Sequence, residues 1–463
     1  MTSSSDAVPV PSLKRQIGLA SATAAVASES IAVGIFLTPA GMAKSLGSPF
    51  WLLVIWLSAG TLAICGALCY GELAARYPRN GGIYIYLLET LGPSAAFLYG
   101  WMCLLVLDPG LTAALATGMA SYAAYIVPLS AAGAKAVAIA VIWALCILNF
   151  LSVRVSAGVL RWSTWLKLGI LAFLVLWALV FRMGAWSNFS PLVAQRSGSL
   201  PLGPALATAM VGAFFTFGGW WDVSKIAGEV RDPGRNLPRA MIFGVLIVTA
   251  VYVVVSSVFL YLVPLAKVTS DETFVAQAGA ILFGTAGGKI FAAIVVICIG
   301  SSLAALIMFA PRVYYAMAEN GVFPRTIGRL HSRFGTPAKA ILVQGSVASV
   351  LVIFGSFQRI IAYFIFAAVV FLTLAGAGLF VARSHDTEKL PASPTPAYPL
   401  PLAVFLVLMC FMMALLLLHS PREALLGAVV VLSGLPVYKM FSRKSRATPV
   451  YDPLTAGQFT REV

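Results

Sequence analysis

From residue 17 to residue 441 the chain is a succession of long apolar runs joined by short polar links, and this pattern restricts the fold more than any other feature. Inside hydrocarbon a backbone amide or carbonyl finds no water, so a crossing segment must be a helix or a strand of a closed barrel. A helix needs roughly 20 apolar residues to cross, and a barrel strand about ten of alternating polarity. The runs are of helix length and apolar throughout: 17–45, 50–75, 94–127, 134–151, 158–182, 203–228, 237–264, 288–318, 338–356, 360–382, 398–418 and 422–441. The expectation is an all-α integral membrane protein with twelve transmembrane helices. Composition agrees, with 60% hydrophobic residues and 10% charged, where soluble proteins carry roughly 25% charged residues. So little charge cannot cover a water-facing surface. A soluble enzyme, a nucleic-acid binder and a secreted disulfide scaffold are thereby excluded.

The net charge of +15, from 31 Lys and Arg against 16 Asp and Glu, has a topological reading. With the N-terminus inside, the basic residues crowd the cytoplasmic links, as in Lys225 to Arg239, Arg325 to Lys339 and Lys439 to Arg446. The opposite links hold few, among them Lys44, Lys135, Arg182 and Arg196. That asymmetry sets orientation, and an even number of spans puts both tails, 1–16 and 442–463, in the cytoplasm. Lys14-Arg15 before the first apolar run imitates a signal peptide, but that run is too long for one, so the segment is read as uncleaved. The cysteines, Cys65, Cys69, Cys103, Cys146, Cys298 and Cys410, all fall in apolar runs and are read as packing residues. The three histidines form no metal-spaced cluster, and no nucleophile motif falls in a span. The expectation is therefore no catalytic residue, no metal and no cofactor.

Two spans look interrupted. The first reads Ser28-Glu29-Ser30-Ile31-Ala32-Val33-Gly34-Ile35-Phe36 and continues to Thr38-Pro39 and Gly41. The sixth reads Phe214-Phe215-Thr216-Phe217-Gly218-Gly219-Trp220-Trp221-Asp222. These are the first members of two consecutive sets of five, and breaks at matching positions point to a transporter's midplane site. Freed amides at a helix N-terminus suit an anion and freed carbonyls suit a cation, so a zwitterionic amino acid would satisfy both. Glycines that merely allow close helix packing are the plainer alternative.

At these residues the chain resembles the amino acid–polyamine–organocation superfamily, and within it the L-amino-acid transporter branch. Gly34-Ile35-Phe36 through Gly47-Ser48-Pro49 is similar to the family's first-span signature. Cys69-Tyr70-Gly71-Glu72-Leu73 and Gly81-Gly82-Ile83-Tyr84-Ile85-Tyr86 resemble the second span and the link after it. Phe217-Gly218-Gly219-Trp220, Gly228-Glu229-Val230-Arg231-Asp232-Pro233 and Arg235-Asn236-Leu237-Pro238 resemble the link from span 6 to span 7. Arg312-Val313-Tyr314-Tyr315-Ala316 and Tyr363-Phe364-Ile365-Phe366-Ala367-Ala368 resemble spans 8 and 10.

The resemblance implies a five-plus-five inverted repeat, 17–182 and 203–382, with two further helices over 398–441, working by alternating access in a bacterial inner membrane. It implies that the substrate carboxylate meets the amides of Val33 and Gly34 beside Ala32, and the ammonium the carbonyls of Ser30, Phe215 and Gly218, next to Gly219. It makes Phe215 an aromatic gate and Lys167 a stand-in for a structural sodium ion. The implied activity is sodium-independent exchange of neutral, small to medium L-amino acids. Three features depart from the pattern: Ala32-Val33 replaces the usual Gly-Ser, Asp108-Pro109 stands where animal relatives often carry Arg-Pro, and Glu29 replaces a neutral residue. The link from Ile126 to Ala134 has no cysteine, so no disulfide-linked heavy subunit is expected.

A charge at the bilayer centre costs roughly 2.5–3.5 kcal/mol on insertion scales, so each one needs a reason. Lys167 lies about 14 Å along span 5 at about 1.5 Å per residue, too deep to snorkel; it bridges the broken first span, or pairs with Glu29 or Asp108. Glu29 admits three readings: a proton-coupling site, a counter-ion for a cationic amino acid or polyamine, or a partner of Lys167. Asp108 reads first as a cap for the helix disrupted by Pro109. Asp222 with Lys225, Glu229 with nearby arginines and Glu72 with Arg76 read as inner-face ion pairs. Ser301 and Ser302 form a hydroxyl pair beside the core. Two rivals to exchange stay open: proton-coupled symport, and a non-transporting amino-acid sensor, which is expected to add a soluble domain.

Overall fold

The computed structural model describes residues 15–32, 34–151, 153–265, 278–354, 357–385, 391–419 and 421–445. Most of both expected cytoplasmic tails, and Val33, lie outside the described residues. Those described are helical, with no strand among them and a single isolated bridge between Ile17 and Val230. In chain order the helices are α1 (Leu19–Ser30), α2 (Gly34–Leu46), α3 (Pro49–Arg76), α4 (Ile83–Leu91), α5 (Pro93–Met102), α6 (Asp108–Ile126), α7 (Ala131–Leu151), α8 (Val153–Val180) and α9 (Leu202–Phe217). They continue as α10 (Pro233–Leu262), α11 (Gly287–Phe309), α12 (Pro311–Glu319), α13 (Ala338–Phe354), α14 (Phe357–His385), α15 (Leu400–His419), α16 (Pro421–Leu432) and α17 (Gly434–Ser445).

Among the described residues ten helices are long and apolar enough to cross a membrane. Two more of the expected spans are shorter: α13, with 17 residues, and the interrupted pair α1 and α2. Outward-facing Trp162, Trp165, Leu166, Phe173, Leu176 and Val180 form a broad apolar strip on α8. Such a strip would be a liability in water and is the expected surface in lipid.

Local chemistry explains where the helices change direction. Pro109 and Pro311 each occupy a first-turn position, where a missing N–H costs nothing. Ahead of Asp108 the helix widens over Cys103–Leu107 into a π-turn, a feature concentrated at functional sites. Gly81 and Gly82 take φ of +116° and +55° in the link before α4. A side chain at Gly82 would also strike Ser224, 2.4 Å away.

The interrupted helices lie at the centre. α1 packs against α8, α10 and α11, and α2 packs along α9. The chain just before α1 is pinned to the end of the sixth span: the amides of Gln16 and Ile17 reach Glu229 O at 2.8 and 2.9 Å, and the Arg231 amide returns to Ile17 O at 2.8 Å. Below this strap, Arg312 Nε donates to Glu229 Oε1 at 2.9 Å, with side-chain exposures of 0% and 2%. Glu72, fully buried, accepts from Arg76 and Arg383 and from the Thr395 amide. The ion pairs expected for Glu72 and Glu229 are thus formed, each enlarged or buried by a residue distant in sequence.

Removing one member of a buried ion pair strands the other and costs about 3–5 kcal/mol. Glu229→Ala is therefore expected to lower the thermal unfolding midpoint of the detergent-purified protein sharply. A midpoint within a degree of wild type would mean that the pair does not hold this end together.

Candidate functional site

α1 ends because its chain turns sharply after Ser30: the Ile31 amide still reaches Ala27 O at 2.9 Å, but the Ala32 amide folds back to Ser30 O at 2.7 Å. Helical bonding resumes at Gly34. The carbonyls left over at such an end need donors, because no water is available in hydrocarbon. Lys167, on α8 and fully buried, supplies them. Its ammonium donates to Ser28 O at 2.9 Å, to Ile31 O at 2.5 Å and to Ser302 Oγ at 2.9 Å. Ser302 passes a hydrogen bond on to Ser28 O at 2.5 Å, and Ser28 Oγ contacts Ser301 Oγ at 3.4 Å. Three N–H groups thus meet three acceptors, and Lys167 bonds to neither Glu29 nor Asp108.

The second break follows α9. The Gly218 amide returns to Phe215 O at 3.1 Å, Gly219 adopts φ of +101°, and the chain continues as a tight 3-10 segment, Asp222–Glu229. Gly219 faces α1 so closely that a Cβ there would lie 2.5 Å from Glu29 Cγ. Gly34 is equally confined, with Thr216 Cα 2.9 Å from where its Cβ would be. Tyr252 of α10 stitches the breaks together: its hydroxyl lies 2.5 Å from Ser30 O and 2.7 Å from Thr216 O. A tyrosine inside an apolar run needs a partner for its hydroxyl, the signal by which sequence reading should have singled out Tyr252.

Between the breaks lies a small cavity. It brings together Glu29, Ser30, Ala32, Gly34, Phe215, Gly218, Gly219 and Asp108 from the sequence-derived set, and adds Asp222. Leu107, Leu111, Leu115, Phe214, Trp221, Ile365 and Ala368 supply apolar walls. Lys167, Ser301 and Ser302 do not line it; they sit behind α1. The amide of Gly34 opens α2, so a positive helix end abuts the cavity, while the carbonyl ends of α1 and α9 meet it from other directions.

Asp108 does not cap its helix as expected: it opens α6 with no side-chain capping bond, and its carboxylate is engaged elsewhere. Lys225, buried, donates to Asp108 Oδ1 at 2.7 Å and contacts Asp222 Oδ2 at 3.0 Å. The Tyr314 hydroxyl lies 3.1 Å from Cys103 O, at the π-turn, and 3.4 Å from Asp108 Oδ2. Sequence reading paired Lys225 with Asp222 alone, since Asp108 is remote along the chain. Among the described residues no donor reaches either carboxyl oxygen of Glu29 or Oδ1 of Asp222.

Residues 17–435 match the family described as amino acid permease. The chain belongs to this family. Among curated relatives, the serine/threonine exchanger SteT of Bacillus subtilis is 27% identical over 429 residues, covering 92% of this chain and 96% of that one. The human b(0,+)-type amino acid transporter 1 is 29% identical over 439 residues, covering 93% and 88%. The human cystine/glutamate transporter is 28% identical over 447 residues, covering 93% and 85%. This permease is accordingly a multi-pass membrane transporter of amino acids, not an enzyme.

Forcing a methyl group into a tight contact costs about 1–3 kcal/mol. At Gly34 the obstacle includes backbone, which cannot swing aside. Gly34→Ala is expected to weaken equilibrium binding of radiolabelled L-amino acid about tenfold or more while the protein still elutes as a single species. Undiminished binding would place the substrate elsewhere.

Proposed function

We propose that the protein exchanges neutral, small to medium L-amino acids across the bacterial inner membrane, without sodium, by alternating access. In this reading residues 17–182 and 203–382 are inverted sets of five spans, 398–441 adds two more, and both termini are cytoplasmic. The observation that carries it is the buried Lys167 ammonium, which donates to Ser28 O, Ile31 O and Ser302 Oγ at the first break. A fixed ammonium there occupies the carbonyl cluster where a metal cation would otherwise bind, so substrate loading needs no ion. The relative from Bacillus subtilis carries the name of an exchanger, which agrees. The substrate carboxylate is assigned to the Gly34 amide at the head of α2, Phe215 to the gate above it, and Ala32 to a floor that limits side-chain size.

Proteoliposomes test this directly. Radiolabelled L-serine, L-alanine and L-leucine are each offered outside vesicles that are empty or loaded with the same amino acid, with sodium replaced by potassium. Uptake is expected only into loaded vesicles and at an unchanged rate without sodium. Lys167→Ala is expected to reduce that exchange about tenfold or more, equivalent to about 1.4 kcal/mol. Sodium-driven accumulation in empty vesicles would sink the proposal.

A further inference from the structure

Two of the three backbone acceptors assigned to the substrate's ammonium group, those of Ser30 and Phe215, are already in use. Ser30 O takes the Tyr252 hydroxyl and the Ala32 amide, and Phe215 O takes the Gly218 amide. Among the described residues, the charged cavity acceptors that lack a donor are both carboxylate oxygens of Glu29 and Oδ1 of Asp222; the Ser30 hydroxyl is also without a partner. These residues are 4% and 3% exposed, both line the cavity, and the chain leading into Asp222 presses on Glu29, a Cβ at Gly219 falling 2.5 Å from Glu29 Cγ.

Two carboxyls so placed need a positive charge between them. The surrounding cations are committed elsewhere. Lys225, on the same 3-10 segment as Asp222, bonds to Asp108 of α6 and to the other Asp222 oxygen. Lys167 of α8 is spent on the backbone of α1 and on Ser302 of α11. From α10 and α12, the hydroxyls of Tyr252 and Tyr314 serve Ser30 and the Asp108 side. Glu29 also lies in the last turn of α1, where the helix dipole opposes a negative charge. Three carboxyls thus share one ammonium, in walls that are otherwise apolar.

We propose that Glu29 and Asp222 form a seat for a single cation. It holds a proton between the two carboxyls when the cavity is empty, and the α-ammonium group of the amino acid when it is loaded. This rests on the amino-acid reading above and specifies how that site is filled. The ammonium donates its N–H groups to the carboxylate oxygens, the shared proton leaves to water on the open face, and the substrate carboxylate settles at the Gly34 amide. The seat carries the same charge before and after, so neither carboxylate is stranded at any stage. Loading releases a proton and unloading takes one up.

Purified wild-type protein in weakly buffered detergent solution, with a pH-indicator dye present, is titrated with L-serine, and with L-alanine and L-leucine in parallel. The expected result is one proton released per amino acid bound, and binding that weakens about tenfold for each pH unit on the acid side, as linkage to one proton requires. In Glu29→Gln the release is expected to vanish and the pH slope to flatten, and in Asp222→Asn the same. Proton uptake or no release in the wild type overturns the proposal, as does an unchanged slope in both variants. The wild-type titration stands even if a variant fails to fold. If these amino acids are exchanged in liposomes but their binding in the detergent titration releases no proton, this inference alone falls. If none of them is bound or exchanged, the amino-acid reading falls and this inference with it.

Discussion

Unpaired backbone carbonyls in hydrocarbon are costly, and the centre of this protein is organised around satisfying them. Breaking a span leaves acceptors on one side and donors on the other, with no solvent to take either. The acceptors left by α1 are met from three different helices, by Lys167 of α8, Ser302 of α11 and Tyr252 of α10. Each of these side chains has its own polar atoms satisfied in return, so the break is held as one network. Such a network is strong only when complete, because a half-satisfied buried polar group costs more than an apolar one. That dependence ties the shape of the cavity to residues that never touch it.

The same scarcity of solvent governs the charges. Lys225 neutralises Asp108, reaches Asp222 as well, and is buried among them. Glu29 comes from the other broken helix and meets this cluster without a hydrogen-bond partner among the described residues. Two elements that approach as closely as Gly219 and Glu29 therefore bring an uncompensated carboxylate with them. A side chain retained in that position against the insertion cost of roughly 2.5–3.5 kcal/mol is most simply understood as facing a cation that comes and goes.

Much of this was legible beforehand because its signals are local or periodic. The apolar runs follow from hydropathy. The two breaks announce themselves in Gly34 and in Gly218-Gly219. A lysine as deep as Lys167 is conspicuous in any span. The pairing of Asp108 with Lys225 was not legible, because the residues lie on different spans and nothing short of the three-dimensional crossing angle puts them together. Glu29 shows the same limit from the opposite side. Its burial was evident from the sequence, whereas its partner was left open among three choices, and one of those, Lys167, turns out to point at carbonyls instead. Tyr252 went unremarked because aromatic residues are common in spans, and only its hydroxyl sets it apart.

The two lysines divide the work by what surrounds them. Lys167 meets neutral dipoles only, so its ammonium adds a net positive charge behind α1 while leaving the cavity untouched. Lys225 meets carboxylates only and removes net charge from the cavity side. Lys167 bonds to the end of α1 without lining the cavity, whereas both carboxylate partners of Lys225 line it. On the proposal above, a zwitterion in the gap has its carboxylate drawn toward the head of α2 and its ammonium toward Glu29 and Asp222. The polarity of the site is thus set by where two fixed cations are placed, and the helix ends refine it.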